Sequence, residues 1–585
     1  MAKFDLDTIR HSTAHLMAQA ISRVFPDTHI QFGIGPVIEN GFYYDVDMDH
    51  RLVDEDLEKI ETEMQNLIKE NLSIERKEFS RSDALKFFAD KKDELKQDLI
   101  NSFDEDAEIT CYQQGDFIDL CRGPHVESTG QLPRFFKLLH IAGAYWRGDE
   151  NNKMLQRIYA ASFNDRKQLK AHLTFLEEAK KRDHRKLGKD MELFHFNPVA
   201  PASPFFMPKG AFVYNKLIEF MREIYRIYDY QEVITPQILD SDLWHTSGHY
   251  EHYKENMYFS NIDDREYAVK PMNCPCHMLM FKHYKYSYRD LPMRYADFGR
   301  LHRYEKAGAV TGLTRVRTFC QDDAHIFIDI DGIQDEITKL MEMFFICYDH
   351  FGFTGIKVNL STRPEKKSGD DATWDKAESA LEEALKKSGH EYFIKEGDGA
   401  FYGPKIDVEI ADAIGRYYQL GTIQLDFQLP ERFGLHYTTA DGGEEKPVVI
   451  HRALLGSLER FFGVYLEHVA GAFPFWLAPE QAVIVPVNNE FHLDFANKLH
   501  KELFATGLRI KVDDRNESMG YKTRQIQQSK APYMIVIGDR EMESNSVSLR
   551  KYGEKKTTTM TIEELKNHFA ELNADCVPAK LRQSL

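Results

Sequence analysis

Two histidines four residues apart open the chain's first apolar run, HSTAHLMAQA, beginning at His11. On a helix, His11 and His15 project from one face. About a hundred residues later, DLCRGPH adds Cys121 and His125. Three imidazoles and a thiol make a plausible zinc set. The spacing also resembles the zincin helix, in which a Glu beside the first His serves as general base, but Ser12 holds that place. Each histidine alone reads equally as a core or surface residue. Two compact pairs weaken that reading without deciding between metal and metal-free chemistry.

A second set lies in the middle of the chain. KPMNCPCH supplies Cys274, QDDAHIF supplies His325 and PVVIHRALLGSLERF supplies His451. One Cys and two His with an open fourth position is the ligand count of a catalytic or substrate-binding zinc. Arginines surround this set. LHRYEKAGAVTGLTRVRTF reads as two strands joined by a glycine-containing loop, with Arg303 and Arg315 near its ends, and Arg460 in GSLERF adds a third from a helix. Guanidinium forks stay charged and bind phosphate bidentately. With no GxxxxGK[ST] motif, the commonest nucleotide-binding loop is excluded.

These residues need several elements to hold them. A length of 585 residues implies three to five domains, and 42% hydrophobic residues allow a large core. The net charge of -18 advertises no nucleic-acid partner, although such a partner needs only a local basic face. Seven cysteines, no secretory signal and no apolar run of about eighteen residues point to a reducing cytosol without a membrane span. VDEDLEKIETEMQNLIKE from Val53 spaces Leu57, Ile60, Met64 and Leu67 as a helix, and GFYYDVD from Gly41 alternates as a strand. The charged stretch Glu177–Asp190 reads either as a basic helix leading to a boundary or as a solvated linker. Beyond it come a long amphipathic helix from Ala211, a short strand EVITP ending at Pro236, and strand-like runs without regular helices between them, which favours an antiparallel sheet. From about Ala478, strands and helices alternate in a small α/β domain whose last helix opens with the capping box Thr561 to Glu564.

The joint occurrence of NCPxH, QDDAHIF, FYGPKID and HRALLGSLERF resembles the threonyl-tRNA synthetases, a class II aminoacyl-tRNA synthetase family, from about Arg10 to the last helix. The resemblance implies an α+β multidomain fold: an editing domain with connecting helix (1–188), a class II antiparallel-sheet catalytic domain flanked by helices (189–477) and an α/β anticodon-binding domain (478–585). The helix and strand ending at Pro236 resemble motif 1, usually the dimer interface, so a homodimer is expected. Arg303 to Glu305, with the loop through Arg315 to Phe319, resembles motif 2, and Gly456 to Arg460 resembles motif 3.

By that resemblance Arg303 holds the α-phosphate of ATP, Glu305 the adenine amino group, and Phe319 with Arg460 sandwiches the base; Arg315 and Gln321 complete the catalytic set, with Mg2+ accompanying ATP. Cys274, His325 and His451 match the ligands of one zinc per chain that binds the threonine amine and hydroxyl. Asp323 takes the hydroxyl's hydrogen bond, and Met272, Tyr402, Lys405, Gln419 and Gln424 bind the same substrate. HSTAH and CRGPH resemble a metal-free editing site that hydrolyses seryl-tRNA, with His11, His15, Cys121 and His125 completed by Asp119 and Lys96; a related domain of alanyl-tRNA synthetases uses zinc. Asn516, Lys530, Glu541 and Arg550 match anticodon-reading positions, and the macromolecular partner is tRNA(Thr). Most members carry a further N-terminal domain of about sixty residues ahead of HSTAH, and Cys276 stands where they usually have Gly, as a competing ligand or a packing residue. A metalloprotease would leave the arginines unexplained. A non-catalytic synthetase-like RNA-binding or regulatory paralogue would have no need of every arginine and zinc ligand.

Overall fold

The computed structural model describes residues 4–149 and 151–582. The chain divides into two compact units, Met1–Glu177 and Glu178–Leu585, and each is described by itself.

In the first unit, Asp5 caps the helix Leu6–Val24 by accepting from the Thr8 amide at 2.7 Å. The helix Asp54–Glu70 buries Leu57, Ile60, Met64 and Leu67, the positions spaced in the sequence. Both lie in one core with Phe42, Tyr44, Val46 and Ile158 of an antiparallel sheet. That sheet runs Ile30–Phe32, Gly41–Met48, Met154–Ser162, Phe136–Tyr145, with Val37–Ile38 on the second strand. A smaller sheet, Ile74–Phe79, Ile109–Gln114 and Phe117–Leu120, ends where DLCRGPH begins. The helix Glu94–Asn101 carries Lys96. The charged stretch forms parts of two helices, Arg166–Arg182 and His184–Asp190, broken at Asp183, which caps the second.

The second unit is built on an eight-stranded sheet in the order Gln231–Glu232, Met293–Asp297, Asp323–Ile328, Val448–Ala453, Tyr417–Asp426, Lys405–Ala411, Gly355–Ser361 and Tyr392–Lys395. Its six inner strands are antiparallel, and both edge strands join in parallel. The motif 1 strand is shorter and earlier than EVITP, because pairing covers only Gln231 and Glu232 before one further bond from the Val233 amide; Pro236 has no amide hydrogen to extend it. Arg300–His302 and Thr318–Cys320 pair as the two expected motif 2 strands. The helix Leu458–His468 carries Arg460.

Toward the end of the chain the sheet order is Ile510–Val512, Ala482–Pro486, Tyr533–Ile537, Ser546–Lys551, Thr557–Thr561. The first three strands are parallel, as alternation with helices requires. The last two form an antiparallel extension that the alternating pattern did not anticipate. Thr561 and Glu564 make the expected capping box, but the helix it opens, Ile562–Ala574, is followed by another, Ala579–Arg582.

Candidate functional site

Cross-strand register assembles the central site. His325 lies directly opposite His451, and His451 directly opposite Gln424, so three side chains far apart in sequence share one face. Cys274 enters at the first position of the helix Cys274–His283. The ligand atoms of Cys274, His325 and His451 all lie within 4.8 Å of one another, and all three residues are buried. Burial drives the Cys274 thiol well above its ordinary value and His325 well below, so both are neutral. His325 Nδ1 is buried without a hydrogen-bond partner. His451 Nε2 pairs with buried Asp426 at 2.8 Å, leaving its other nitrogen free. An orphaned nitrogen, a thiol awaiting a cation and a carboxylate-oriented imidazole fit a zinc with an open position. Cys276 is not part of this donor set.

The other expected substrate-binding residues are each held by a polar partner. Asp323, its carboxyl pushed up by burial, accepts from Asn273 Nδ2 at 3.1 Å. Tyr402 donates to Gln424 at 2.5 Å. Lys405 and Gln419 converge on Asp407 at 2.9 and 2.6 Å. Met272 Sδ lies 3.0 Å from His249 Nε2. Sequence alone did not single out Asn273 or Asp407, although each lies in one of the motifs, nor Asp426 and His249, which lie in none. Asp322, beside Asp323, plays a different part by accepting from the Leu454 and Leu455 amides and from Arg452, which fixes the approach to motif 3.

The motif 2 and motif 3 residues meet around the paired strands. Arg303 lies over the Phe319 ring at 5.0 Å and donates to Pro271 O. Arg315 pairs with Glu305 at 2.9 Å. Arg460 donates to the carbonyls of Gln419 and Thr314, at 2.9 and 3.0 Å. Gln321 bridges to Ser457, which caps the motif 3 helix. Buried Glu459 ties that helix to the motif 2 strands through Arg300 at 2.8 Å and the Cys320 amide at 3.0 Å. The guanidinium against Phe319 is thus that of Arg303, while Arg460 is held by backbone oxygens.

In the first unit, His11, His15, Cys121 and His125 also bring ligand atoms within 4.8 Å of one another. Here His11, Cys121 and His125 are linked by hydrogen bonds, and His15 packs its ring against His11 and His125. Ser12 accepts from the Val126 amide, and its hydroxyl pairs with His125 Nδ1 at 3.1 Å. Cys121 Sγ lies 3.1 Å from both His125 Nε2 and His11 Nε2. Burial pushes the thiol up to about 11 and all three imidazoles down, so all four are neutral. Lys96 donates to Asp119 and to Gly33 O at 2.8 and 2.9 Å, and Tyr44, unremarked in the sequence, donates to the other Asp119 oxygen. A cavity of about 300 Å3 is lined by His11, His15, Lys96 and Cys121; Asp119 and His125 contact these residues from outside its lining.

The four expected anticodon residues gather on one face of the last sheet. Arg550 lies opposite Met534 on the face where the helix Met519–Ser529 packs. Asn516 precedes that helix, exposed, and Lys530 closes it in a left-handed conformation, reaching the Tyr552 hydroxyl at 3.3 Å. Glu541 accepts from Ser548, two residues before Arg550, at 2.7 Å.

An antiparallel sheet crossed by motif 2 and motif 3 arginines defines a class II aminoacyl-tRNA synthetase core. Residues 257–469 match the family model of the class II tRNA synthetase core domain (G, H, P, S and T), 481–572 that of the anticodon binding domain, and 109–159 that of the threonyl and alanyl tRNA synthetase second additional domain. The threonine–tRNA ligase of Carboxydothermus hydrogenoformans is 52% identical over 547 residues, covering 94% of this chain and 86% of its own. Threonine–tRNA ligase 2 of Bacillus subtilis is 50% identical, covering 97% and 88%. Among solved structures, the RNA binding domain of threonyl-tRNA synthetase from Cryptosporidium parvum superposes with a TM-score of 0.65 at 46% identity, over 67% of this chain and 98% of its own. The chain belongs to the threonine–tRNA ligase family. Among the described residues no helix is long and apolar enough to cross a membrane.

Proposed function

We propose that the central site makes threonyl-adenylate on a zinc-bearing surface and transfers it to tRNA(Thr), and that the first unit removes serine attached in error. The observation that carries this reading is the buried trio Cys274, His325 and His451 beside Asp323, with an unpartnered nitrogen on His325.

Arg303 neutralises the α-phosphate as the threonine carboxylate attacks it and pyrophosphate leaves. Glu305 takes the adenine amino group, while Phe319 and Arg460 clasp the base once Arg303 swings from the ring to phosphate. Arg460 also reaches the γ-phosphate, Arg315 balances the remaining charge and Gln321 closes the site against the motif 3 helix; Mg2+ accompanies ATP. When bound, zinc supplies a Lewis acid for the amine and hydroxyl of threonine, held by Cys274, His325 and His451. Asp323 accepts from that hydroxyl, and Met272, Tyr402, Lys405, Gln419 and Gln424 shape the remaining wall.

This recognition rejects valine, which has no hydroxyl. It fails against serine, because one missing methyl is worth only about 1–3 kcal/mol. His11, His15, Cys121 and His125, supported by Lys96 and Asp119, therefore position the seryl ester of the terminal adenosine and the attacking water without a metal. Asn516, Lys530, Glu541 and Arg550 read the anticodon. The reading includes three domains (1–188, 189–477 and 478–585), a homodimer through the motif 1 helix and strand, and action in the cytoplasm. Threonine-dependent ATP–pyrophosphate exchange tests it: stimulation by threonine but not valine is expected, and exchange indifferent to threonine overturns it.

A further inference from the structure

The charged stretch carries a buried histidine to which neither reaction assigns a role. His184 opens the helix His184–Asp190 and is 3% exposed. Its Nε2 accepts from the Leu313 amide at 2.9 Å. Nδ1 must therefore hold the proton, which it donates to Glu467 Oε1 at 2.6 Å. The same oxygen accepts from the His184 amide at 2.9 Å, and the other Glu467 oxygen accepts from Arg416 at 2.5 Å. Asp183, His184 and Glu467 have the residue types of a metal site. Both imidazole nitrogens are nevertheless committed to protein partners, and Asp183 accepts from the Arg185 amide and guanidinium.

The surroundings are shaped to admit the ring. A Cβ on Gly312, which sits at φ +47, would fall 2.1 Å from His184 Nε2. One on Gly463, in the motif 3 helix, would meet Leu313 Cβ at 3.1 Å and the His184 ring at 3.5 Å. Leu313 itself is completely buried. The next residue, Thr314, offers the carbonyl that holds Arg460 at 3.0 Å, and Arg315 follows, paired with Glu305. At the far end of the motif 3 helix, Arg182 donates to the carbonyls of Glu467 and His468, where a cation also suits the helix dipole.

We propose that His184 is a positioning residue for ATP: by tying Leu313 of the motif 2 loop to Glu467 of the motif 3 helix, it sets Thr314, and through it Arg460, for the nucleotide. The inference rests on the reading of Arg315 and Arg460 as ATP ligands. It places one side chain of the connecting segment in control of the loop that contacts ATP, without contact with substrate.

Two variants separate positioning from folding. His184→Asn keeps a donor for Glu467 but is too short to accept from Leu313, whereas His184→Gln places an acceptor near the Nε2 position. Steady-state pyrophosphate exchange on the full chain should show the KM for ATP about tenfold higher in His184→Asn, the effect of leaving a buried amide without its partner. The KM for threonine should stay within about twofold, and His184→Gln should recover most of the loss. An unchanged KM for ATP in His184→Asn would overturn the inference. So would equal rises in both KM values in both variants with matching losses of melting temperature, which is the pattern of general destabilisation. A wild-type chain without exchange would instead remove the ATP-site reading itself, and the wild-type assay alone reveals that outcome.

Discussion

Two clusters in this chain are built from the same side chains and stand in opposite states. In the second unit, the ligand atoms of Cys274, His325 and His451 converge within 4.8 Å of one another, yet no hydrogen bond joins the three, and one buried nitrogen has no partner. In the first unit, Ser12, His125, Cys121 and His11 are joined by a run of hydrogen bonds, with His15 packed against two of the rings. A donor set is therefore better judged by what its atoms lack than by its composition. Buried polar atoms are normally paired, so an orphaned nitrogen among ligand-type residues marks a place for something external. A set whose members bond to one another can do its work through hydrogen bonds alone.

The comparison can be broken first at the nucleotide. Arg303→Ala should lower threonine-dependent pyrophosphate exchange at least a hundredfold, the scale of losing a preorganised charge in the transition state, while filter binding of tRNA(Thr) stays near wild type. Exchange near the wild-type rate would show that Arg303 is not the phosphate ligand.

The next measurement addresses the clusters directly. Double replacement of His11 and His15 by Ala should cut deacylation of preformed seryl-tRNA about a hundredfold and leave threonine charging unaltered, as expected for removal of positioning groups. Wild type treated with EDTA should deacylate normally. Loss of deacylation under EDTA would place a metal at the first cluster and erase the contrast.

Zinc content sharpens the same point. Elemental analysis should find about one zinc per chain, absent from His451→Ala and retained in His11→Ala. Asp426→Asn, which weakens the partner of His451 Nε2, should reduce zinc affinity by roughly 10–100-fold while ligand identity is unchanged. Full zinc occupancy in His451→Ala would reject the central assignment.

The smallest effect is on stability. His11, His15 and His125 are held below the ordinary histidine value of 6.5, in each case chiefly by burial. Below about pH 6.5 the unfolded chain binds protons that the folded unit refuses, so stability is lost as pH falls. Hydrogen exchange in the helix Leu6–Val24, corrected for the intrinsic rate, should accelerate between pH 7 and pH 5. A flat profile would mean that these histidines take up protons over the same pH range in the folded unit as in the unfolded chain.

Much of the fold was legible because periodicity and caps are local. Leu57, Ile60, Met64 and Leu67 define a helix wherever it packs, and Thr561 with Glu564 announces a helix start by its own hydrogen bonds. The antiparallel extension of the last sheet was not legible, since Ser546–Lys551 and Thr557–Thr561 pair without a helix between them in a region otherwise alternating. Among site residues, the histidines, cysteines and arginines stood out by type. Asp426, Asp407 and Tyr44 did not, because an Asp or Tyr inside a strand carries no mark of the partner that register will place beside it.

By itself the sequence determined the donor types, their grouping into two sets and the family to which the motifs belong, since these depend on residue identity and short-range spacing. Only the tertiary structure decided which set keeps a buried nitrogen without a partner. His325 faces His451 because two strands separated by more than a hundred residues pair in one register. Cys121 reaches His11 because a hairpin end meets a distant helix. His184, an ordinary member of a charged run in one dimension, becomes the link between Leu313 and Glu467 in three. Hydrogen-bond satisfaction is a property of neighbours in space, and buried neighbours are chosen by packing rather than by position along the chain.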